Sequence, residues 1–211
     1  MATSKYESLS AKIQVDFPEY DEPPAEPLGL MRRWLADARE HGVREPSALA
    51  LATADAFGRS STRVVAISAL TDRGVLFTTH SGSRKGRDLA ANTWASGVFY
   101  WRETSQQLVV AGPALPVGDA EADALWNARP VPLHAMSTVS HQSEPLDDGA
   151  DLLARARELE GLGPLPRPDR FVGYLLEPVE VEFWCAHPDR LHRRLRDDRD
   201  GAAWRVSRLQ P

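Results

Sequence analysis

Residues 48–79 read ALALATADAFGRSSTRVVAISALTDRGVLFTT. Three apolar runs, Ala48–Ala54, Thr62–Leu70 and Val75–Thr79, are separated by Asp55–Gly58 and Asp72–Gly74. Aspartate and glycine supply the backbone conformations that tight turns need. Connections this short leave no room for a crossover helix, so the runs are expected to pair antiparallel as successive hairpins.

The same grammar continues downstream. Ala95–Trp101 and Gln107–Leu115 read as strands, as do Phe171–Trp184, Arg190–Leu195 and Ala203–Leu209. Helices fall between them. Leu30, Met31, Trp34, Leu35 and Ala38 keep the i, i+3, i+4 spacing of an amphipathic helix that stops near Gly42. Arg84–Ala91 follows Ser83, a good N-cap. Asp119–Ala128 carries Leu125 and Trp126 on its apolar side, and Pro130 and Pro132 break the chain after it. His141–Gly149 is polar and loop-like, and Asp151–Leu162 is a further helix, ended by the Gly161–Pro168 cluster. Six to eight strands in hairpin order with about four inserted helices lack the βαβ alternation of a doubly wound sheet. The pattern predicts a mainly-β, α+β chain: a closed or partly closed antiparallel barrel with peripheral helices.

At 211 residues the chain is one domain with a short extension. The domain is expected over residues 28–211. Residues 1–27, polar, acidic and holding Pro18, Pro23, Pro24 and Pro27, are expected to form a flexible N-terminal arm, a tail over the first dozen residues, with Phe17–Pro27 open between a tail and an arm that closes over a site or a partner subunit. The formal net charge of −5 argues against a dedicated nucleic-acid binder. No apolar run approaches the roughly 18 residues that span a bilayer. One cysteine, Cys185, permits no internal disulfide, and the six histidines show no metal-ligand spacing, so no metal is expected and a reducing cytoplasm is the natural compartment. There is no G-x-G-x-x-G, no Walker A loop, no H-E-x-x-H and no G-x-S-x-G.

What stands out is arginine inside or beside apolar strands. Arg63 precedes Val64-Val65-Ala66-Ile67. In His80-Ser81-Gly82-Ser83-Arg84-Lys85-Gly86 two cations occupy a helix's first turn, where the dipole prefers negative charge. A phosphate at that N-terminus would resolve the conflict, and a solvated basic turn would tolerate it. Arg190, His192 and Arg194 would share one face of a strand and would need an anion or open water. Trp184 is either core or a flat wall for a planar ligand, and Gln107 suits the polar edge of a heteroaromatic ring. Together these residues suit a flat, phosphorylated cofactor, and equally a nucleotide or pyridoxal phosphate.

In this order the pieces resemble the pyridoxamine 5'-phosphate oxidase family of FMN-binding split barrels. They are Arg63–Ser68, Phe77–Thr79 with Gly82-Ser83-Arg84-Lys85, Gln107, Ala128-Arg129-Pro130, Gln142-Ser143, Glu182-Phe183-Trp184, Arg190-Leu191-His192 with Arg194, and Trp204 with Arg208–Pro211. Within that family the chain is most similar to the flavin oxidases of phenazine biosynthesis, through Phe17-Pro18-Glu19-Tyr20, Arg44-Glu45-Pro46, Ala48–Asp55, Trp94–Gly97, Tyr100–Gln107 and Gly163–Pro168.

The resemblance implies an FMN-binding split β-barrel and a homodimer with FMN at the subunit interface. It implies that Arg63, Val64, Val65, Ala66, Ile67, Ser68, Thr78, Thr79, Ser83, Arg84, Lys85, Gln142 and Ser143 contact the FMN phosphate and ribityl chain. Gln107, Trp184 and Arg194 would border the isoalloxazine ring. Of the lysine, tyrosine, arginine and serine that hold substrate phosphate in the vitamin B6 enzymes, this chain presents Ser68, Leu125, Arg129 and Leu133. Only the arginine remains. A desolvated phosphate dianion needs several such partners, so a larger, apolar ring carrying a carboxylate is the expected substrate. Arg129, Arg190, His192, Leu125 and Leu133 would line its site. The implied reaction is aromatisation of a partly reduced phenazine carboxylic acid, with hydride transfer to flavin N5, His192 as a base, and reoxidation by dioxygen to hydrogen peroxide. The alternatives are a pyridoxine or pyridoxamine phosphate oxidase and a non-catalytic flavin binder.

Overall fold

The computed structural model describes Ile13 and residues 15–211. Among the described residues nine strands form one antiparallel sheet: β1 (Ala48–Ala54), β2 (Ser60–Leu70), β3 (Val75–His80), β4 (Trp94–Trp101), β5 (Gln106–Pro116), β6 (Phe171–Leu176), β7 (Glu180–Cys185), β8 (Arg193–Asp200) and β9 (Ala203–Leu209). Their order is β4-β1-β2-β3-β6-β5-β7-β8-β9, and β4 also pairs with β5. That extra pairing closes β1–β6 into a six-stranded barrel, from which β7, β8 and β9 extend off β5. Five helices decorate it: α1 (Pro27–Glu40), α2 (Arg84–Ala91), α3 (Asp119–Ala128), α4 (His134–Val139) and α5 (Gly149–Glu160). Among the described residues no helix is long and apolar enough to cross a membrane.

β5 is where the barrel splits. Its first half pairs with β7 from Gln106↔Cys185 to Ala111↔Glu180, and its second half with β6 from Ala114↔Leu176 to Pro116↔Tyr174. The chain crosses from one to the other at Glu177–Val179, where the Glu177 and Val179 N–H groups donate to the Pro113 and Ala111 carbonyls. The expected single strand Phe171–Trp184 is therefore two strands, interrupted at Pro178, which has no N–H to give. Gly112 faces this corner: a Cβ there would lie 2.1 Å from the Glu177 carbonyl oxygen.

Period-two alternation fills the barrel. Leu49, Leu51, Phe77, Phe99, Leu108, Val110 and Phe183 point inward and are fully buried. Two expectations need correction here. The arm expected over residues 1–27 lies outside the described residues up to 12 and at 14, but its second half is packed. Phe17 is 1% exposed, and its ring meets Trp34 at 4.9 Å and Phe183 at 6.4 Å. Pro18–Tyr20 then make a 3-10 turn, and the Glu26 carboxylate caps α1 by accepting from the Leu28 and Gly29 N–H groups. The apolar value of Phe17 outweighs the loop character of the prolines around it. The strand expected at Arg190–Leu195 begins only at Arg193. Arg190 has φ +68, a left-handed conformation that belongs to a turn.

Candidate functional site

Seven of the expected residues converge at the start of α2. The Ser83 hydroxyl caps the helix, accepting from the Gly86 N–H at 3.2 Å. Thr79 Oγ1, at the end of β3, lies 3.1 Å from Ser83 Oγ, accepts from Lys85 Nζ at 3.0 Å and donates to Gln142 Oε1 at 3.2 Å. The Arg84 N–H donates to Ser143 Oγ at 3.0 Å. Ser143 holds φ +71, a strained conformation that places its hydroxyl over the helix N-terminus. Arg63 reaches in from β2, donating to Thr53 Oγ1 at 2.7 Å and lying 3.7 Å from Asp88, the carboxylate that also accepts from Thr53 and Ser61.

This cradle is over-supplied with positive charge. Asp88 is held below the usual carboxylate range against its burial, by hydrogen bonds from Thr53 and Ser61 and by Arg84 and Arg63. Burial and then Arg63 pull the Lys85 ammonium below the usual lysine range. Burial also lowers Arg63, with Asp88 opposing and Arg84 adding to it. Hydroxyls, a helix N-terminus and three crowded cations sharing one carboxylate form the donor set of a phosphate site. The residues present therefore fit the phosphate of a flavin mononucleotide.

β2 contributes to it in a narrower way than expected. Arg63, Val65 and Ile67 share the inward face, whereas Val64, Ala66 and Ser68 face outward. Ile67 packs in the core and the partly buried Val65 against it. Thr78 alternates away from Thr79 and makes no hydrogen bond to the cradle.

Gln107, Trp184 and Arg194 are brought together elsewhere. They are directly paired across β5, β7 and β8, as one outward-facing row. Arg194 does not await a ligand anion: it donates to Glu182 Oε1 at 2.8 Å and to the Gln210 carbonyl at 2.9 Å. Of the expected cationic row, Arg194 is thus neutralised inside the fold. His192 stacks near Trp184, ring centroids 4.9 Å apart, and its Nδ1 lies 3.1 Å from the His187 N–H. An N–H can only donate, so Nδ1 accepts and a neutral His192 carries its proton on Nε2. The ring presents a donor, where the sequence suggested a proton acceptor.

Arg129 ends α3, and the corner behind it is fixed. His134 Nδ1 accepts from the Leu165 N–H at 3.3 Å, so its Nε2 donates to the Arg129 carbonyl at 3.2 Å. Trp126 packs on His134 at 4.2 Å. Arg129 Nε is buried without a partner, and burial lowers its pKa. Leu133 is exposed beside it, and Leu125 lies over Gly173, where a Cβ would come within 2.6 Å of its Cδ1. His80 opens the turn that the sequence singled out but was given no role there; it is 1% exposed with both ring nitrogens unpartnered. Burial, then Arg170, Lys85, His141 and Arg129, push its pKa down to about 4. A neutral imidazole thus adjoins the cations without adding to them. Its only sequence signal was a polar residue at the end of an apolar strand.

Residues 35–162 match the family described as pyridoxamine 5'-phosphate oxidase, and residues 171–211 match the pyridoxine 5'-phosphate oxidase C-terminal dimerisation region. The chain belongs to the pyridoxamine 5'-phosphate oxidase family. Within it, the chain is 58% identical to the dihydrophenazinedicarboxylate synthase of Burkholderia lata, over the whole of both chains. It is 42% identical to the pyridoxine/pyridoxamine 5'-phosphate oxidase of Anaeromyxobacter dehalogenans, over 90% of this chain and 98% of that one. Among solved structures it is similar to PhzG from Burkholderia lata 383 in complex with tetrahydrophenazine-1-carboxylic acid. The TM-score is 0.92 at 59% identity, covering 93% of this chain and 98% of that one.

Proposed function

We propose that this protein is a homodimeric FMN-dependent oxidase that dehydrogenates a partly reduced phenazine carboxylic acid. The observation that carries the substrate class is Arg129. It is a single guanidinium with an unpartnered buried Nε, and the neighbouring positions Leu125 and Leu133 in the sequence are apolar. One cation suits one carboxylate. A phosphate dianion would need the lysine and two hydroxyls that Ser68, Leu125 and Leu133 do not supply. The likeness to the Burkholderia lata synthase, and to a structure holding a tetrahydrophenazine carboxylate, supports the same class.

When bound, FMN supplies the hydride acceptor and passes the electron pair to dioxygen, giving hydrogen peroxide. The chain's own task is placement. Arg63, Thr79, Ser83, Arg84, Lys85, Gln142 and Ser143 grip the phosphate. Gln107 meets the polar edge of the ring system, Trp184 walls it, and the Arg194–Glu182 pair holds the edge of that wall rigid. Arg129 meets the substrate carboxylate together with Arg190 and His192 Nε2–H. The His192 Nδ1 lone pair is engaged, so the proton lost with the hydride passes to solvent. Holding the two rings in contact is most of the catalysis, because aromatisation itself is downhill.

The homodimer follows from register. Arg63 is level with Leu51, Gly97 and Val110 across β1, β4 and β5. Gln107 lies three residues further along β5, about 10 Å, and on the opposite face of the sheet. Cradle and ring wall thus turn their backs on each other within one chain, and a second copy is needed to complete one site. The match to the family's dimerisation region supports this.

The test is turnover by the flavin-loaded protein, followed as peroxide release. Tetrahydrophenazine-1-carboxylic acid is expected to be oxidised with saturable kinetics, and pyridoxine phosphate to be turned over at least about a hundredfold less efficiently, the cost of roughly 3 kcal/mol of lost phosphate contacts. The reverse preference would make the protein a vitamin B6 phosphate oxidase. Bound flavin with neither activity would leave a binding protein.

A further inference from the structure

The turn between β7 and β8 is organised around one exposed carboxylate. Asp189 Oδ1 accepts from the Leu191 N–H at 2.8 Å and from His187 Nδ1 at 2.5 Å. His187 is tied again by its backbone: its carbonyl accepts from the Arg190 N–H at 2.9 Å, and its N–H donates to His192 Nδ1 at 3.1 Å. The Ala186 N–H next to it donates to the Ser105 carbonyl at 3.1 Å, pinning the turn to the start of β5, one residue before the Gln106–Gln107 segment. Arg190 takes its left-handed φ of +68 inside this knot. A non-glycine residue adopts that conformation at a cost, and here the surrounding hydrogen bonds hold it there.

The bonds form a chain with a direction. Asp189 fixes His187, and His187 fixes the imidazole of His192 through Nδ1. Without that N–H donor a neutral histidine is free to place its proton on either nitrogen. With it, the proton stays on Nε2 and the ring stays against Trp184. We propose that Asp189 is a positioning residue, which through His187 locks His192 as an Nε2–H donor and sets Arg190 beside it for the substrate carboxylate. Asp189 itself touches neither cofactor nor substrate in this scheme. The functional half rests on the oxidase reading above; the tautomer half stands without it.

The experiment uses the flavin-loaded dimer labelled with 15N-histidine. Long-range proton–nitrogen correlation spectra report which imidazole nitrogen carries the proton, and a His192→Gln variant assigns the signals. In the unaltered protein His192 is expected to show the Nε2–H pattern. In Asp189→Ala that pattern should give way to a mixture of tautomers. KM for tetrahydrophenazine-1-carboxylic acid should rise about three- to tenfold, the worth of one hydrogen bond to a charged group, with flavin content and Tm unmoved. Asp189→Asn keeps an oxygen acceptor for the Leu191 N–H and should restore both readouts. An unchanged His192 tautomer in Asp189→Ala overturns the lock whatever the activity. A lost tautomer with unchanged KM overturns the substrate role. Absence of any turnover in the unaltered protein counts against the oxidase reading, and the spectra still decide the lock.

Discussion

Lys85 is a half-buried ammonium whose oxygen partner is a threonine, with Arg63 pressing on it from β2. A phosphate relieves that crowding, so Lys85→Met should weaken FMN binding about 10- to 100-fold, as expected for losing one charge-assisted contact. Flavin fluorescence titration of the apoprotein checks this, and an unchanged Kd would place the phosphate elsewhere. Asp197 carries the opposite strain. It is 1% exposed on the inward face of β8, one carboxyl oxygen has no partner, and burial, then Asp198 and Glu26, push its pKa from 3.8 up to about 6. A raised carboxyl pKa means the folded state holds the proton longer than the unfolded chain. Stability therefore falls as pH climbs from about 4 to 6 and stays lower above that. Asp197→Asn should raise stability by about 1–3 kcal/mol at pH 7.5, with the gain shrinking toward zero at pH 4. Thermal melts at the two pH values test it, and an equal gain at both would assign the effect to packing. The cradle residues were readable in the sequence because Ser83, Arg84 and Lys85 are consecutive and conflict with the helix dipole they sit on. The pairing of Arg194 with Glu182 was not readable, because it depends on the β7–β8 register. Nor was the donor state of His192, which a backbone N–H five residues away decides.

α2 is a short element, and two close contacts shape its first turn. Its Ser83 cap holds one, and Gly86 allows the other: a Cβ there would lie 2.3 Å from the Ser81 carbonyl oxygen and 2.6 Å from that of His80. The loop that forms the cradle thus folds back onto the helix it precedes. Gly86→Ala should push them apart and weaken FMN binding at least about tenfold while most of the fold survives, measured by flavin retention on gel filtration. Retention equal to the unaltered protein would show that the loop can give way. α1 depends on a residue outside it. Phe17→Ala removes a ring buried against Trp34 and Phe183 and should cost about 3–5 kcal/mol, read as a fall in the denaturant midpoint. A cost below 1 kcal/mol would mean that the residues before α1 contribute little. The hairpins from Ala48 to His80 were legible because turn residues and apolar runs alternate cleanly. The β6–β7 division was passed over although Pro178 marks it, because which half of β5 each strand joins depends on the fold. The late start of β8 was hidden for another reason: Arg190 and His192 alternate as a strand would, while hydrogen bonds among neighbouring residues hold them in a turn.

A barrel normally hides its apolar residues, yet the outward face of β2, β1, β4 and β5 carries Val64, Ala50, Val98 and Val109 side by side in register. Val64 is 67% exposed in the single chain, and Trp94 and Tyr100 lie on the same face. An apolar row of this kind in the middle of a sheet marks an interaction surface. In the proposed homodimer a second copy would cover it and bring the partner's ring wall toward the cradle, as the opposed faces of Arg63 and Gln107 suggest. Val98 belongs to neither the cradle nor the ring wall, so it separates assembly from direct cofactor contact. Val98→Lys places an ammonium at the centre of the row, and burying it unpaired is costly enough to favour the monomer. Sedimentation should show the unaltered protein near twice the 23.3 kDa chain mass and the variant near the chain mass itself. Flavin should be lost in step with the dimer and regained at protein concentrations that force association. A monomer that keeps its flavin would mean that one chain holds the whole site, and the register argument for a shared one would fail.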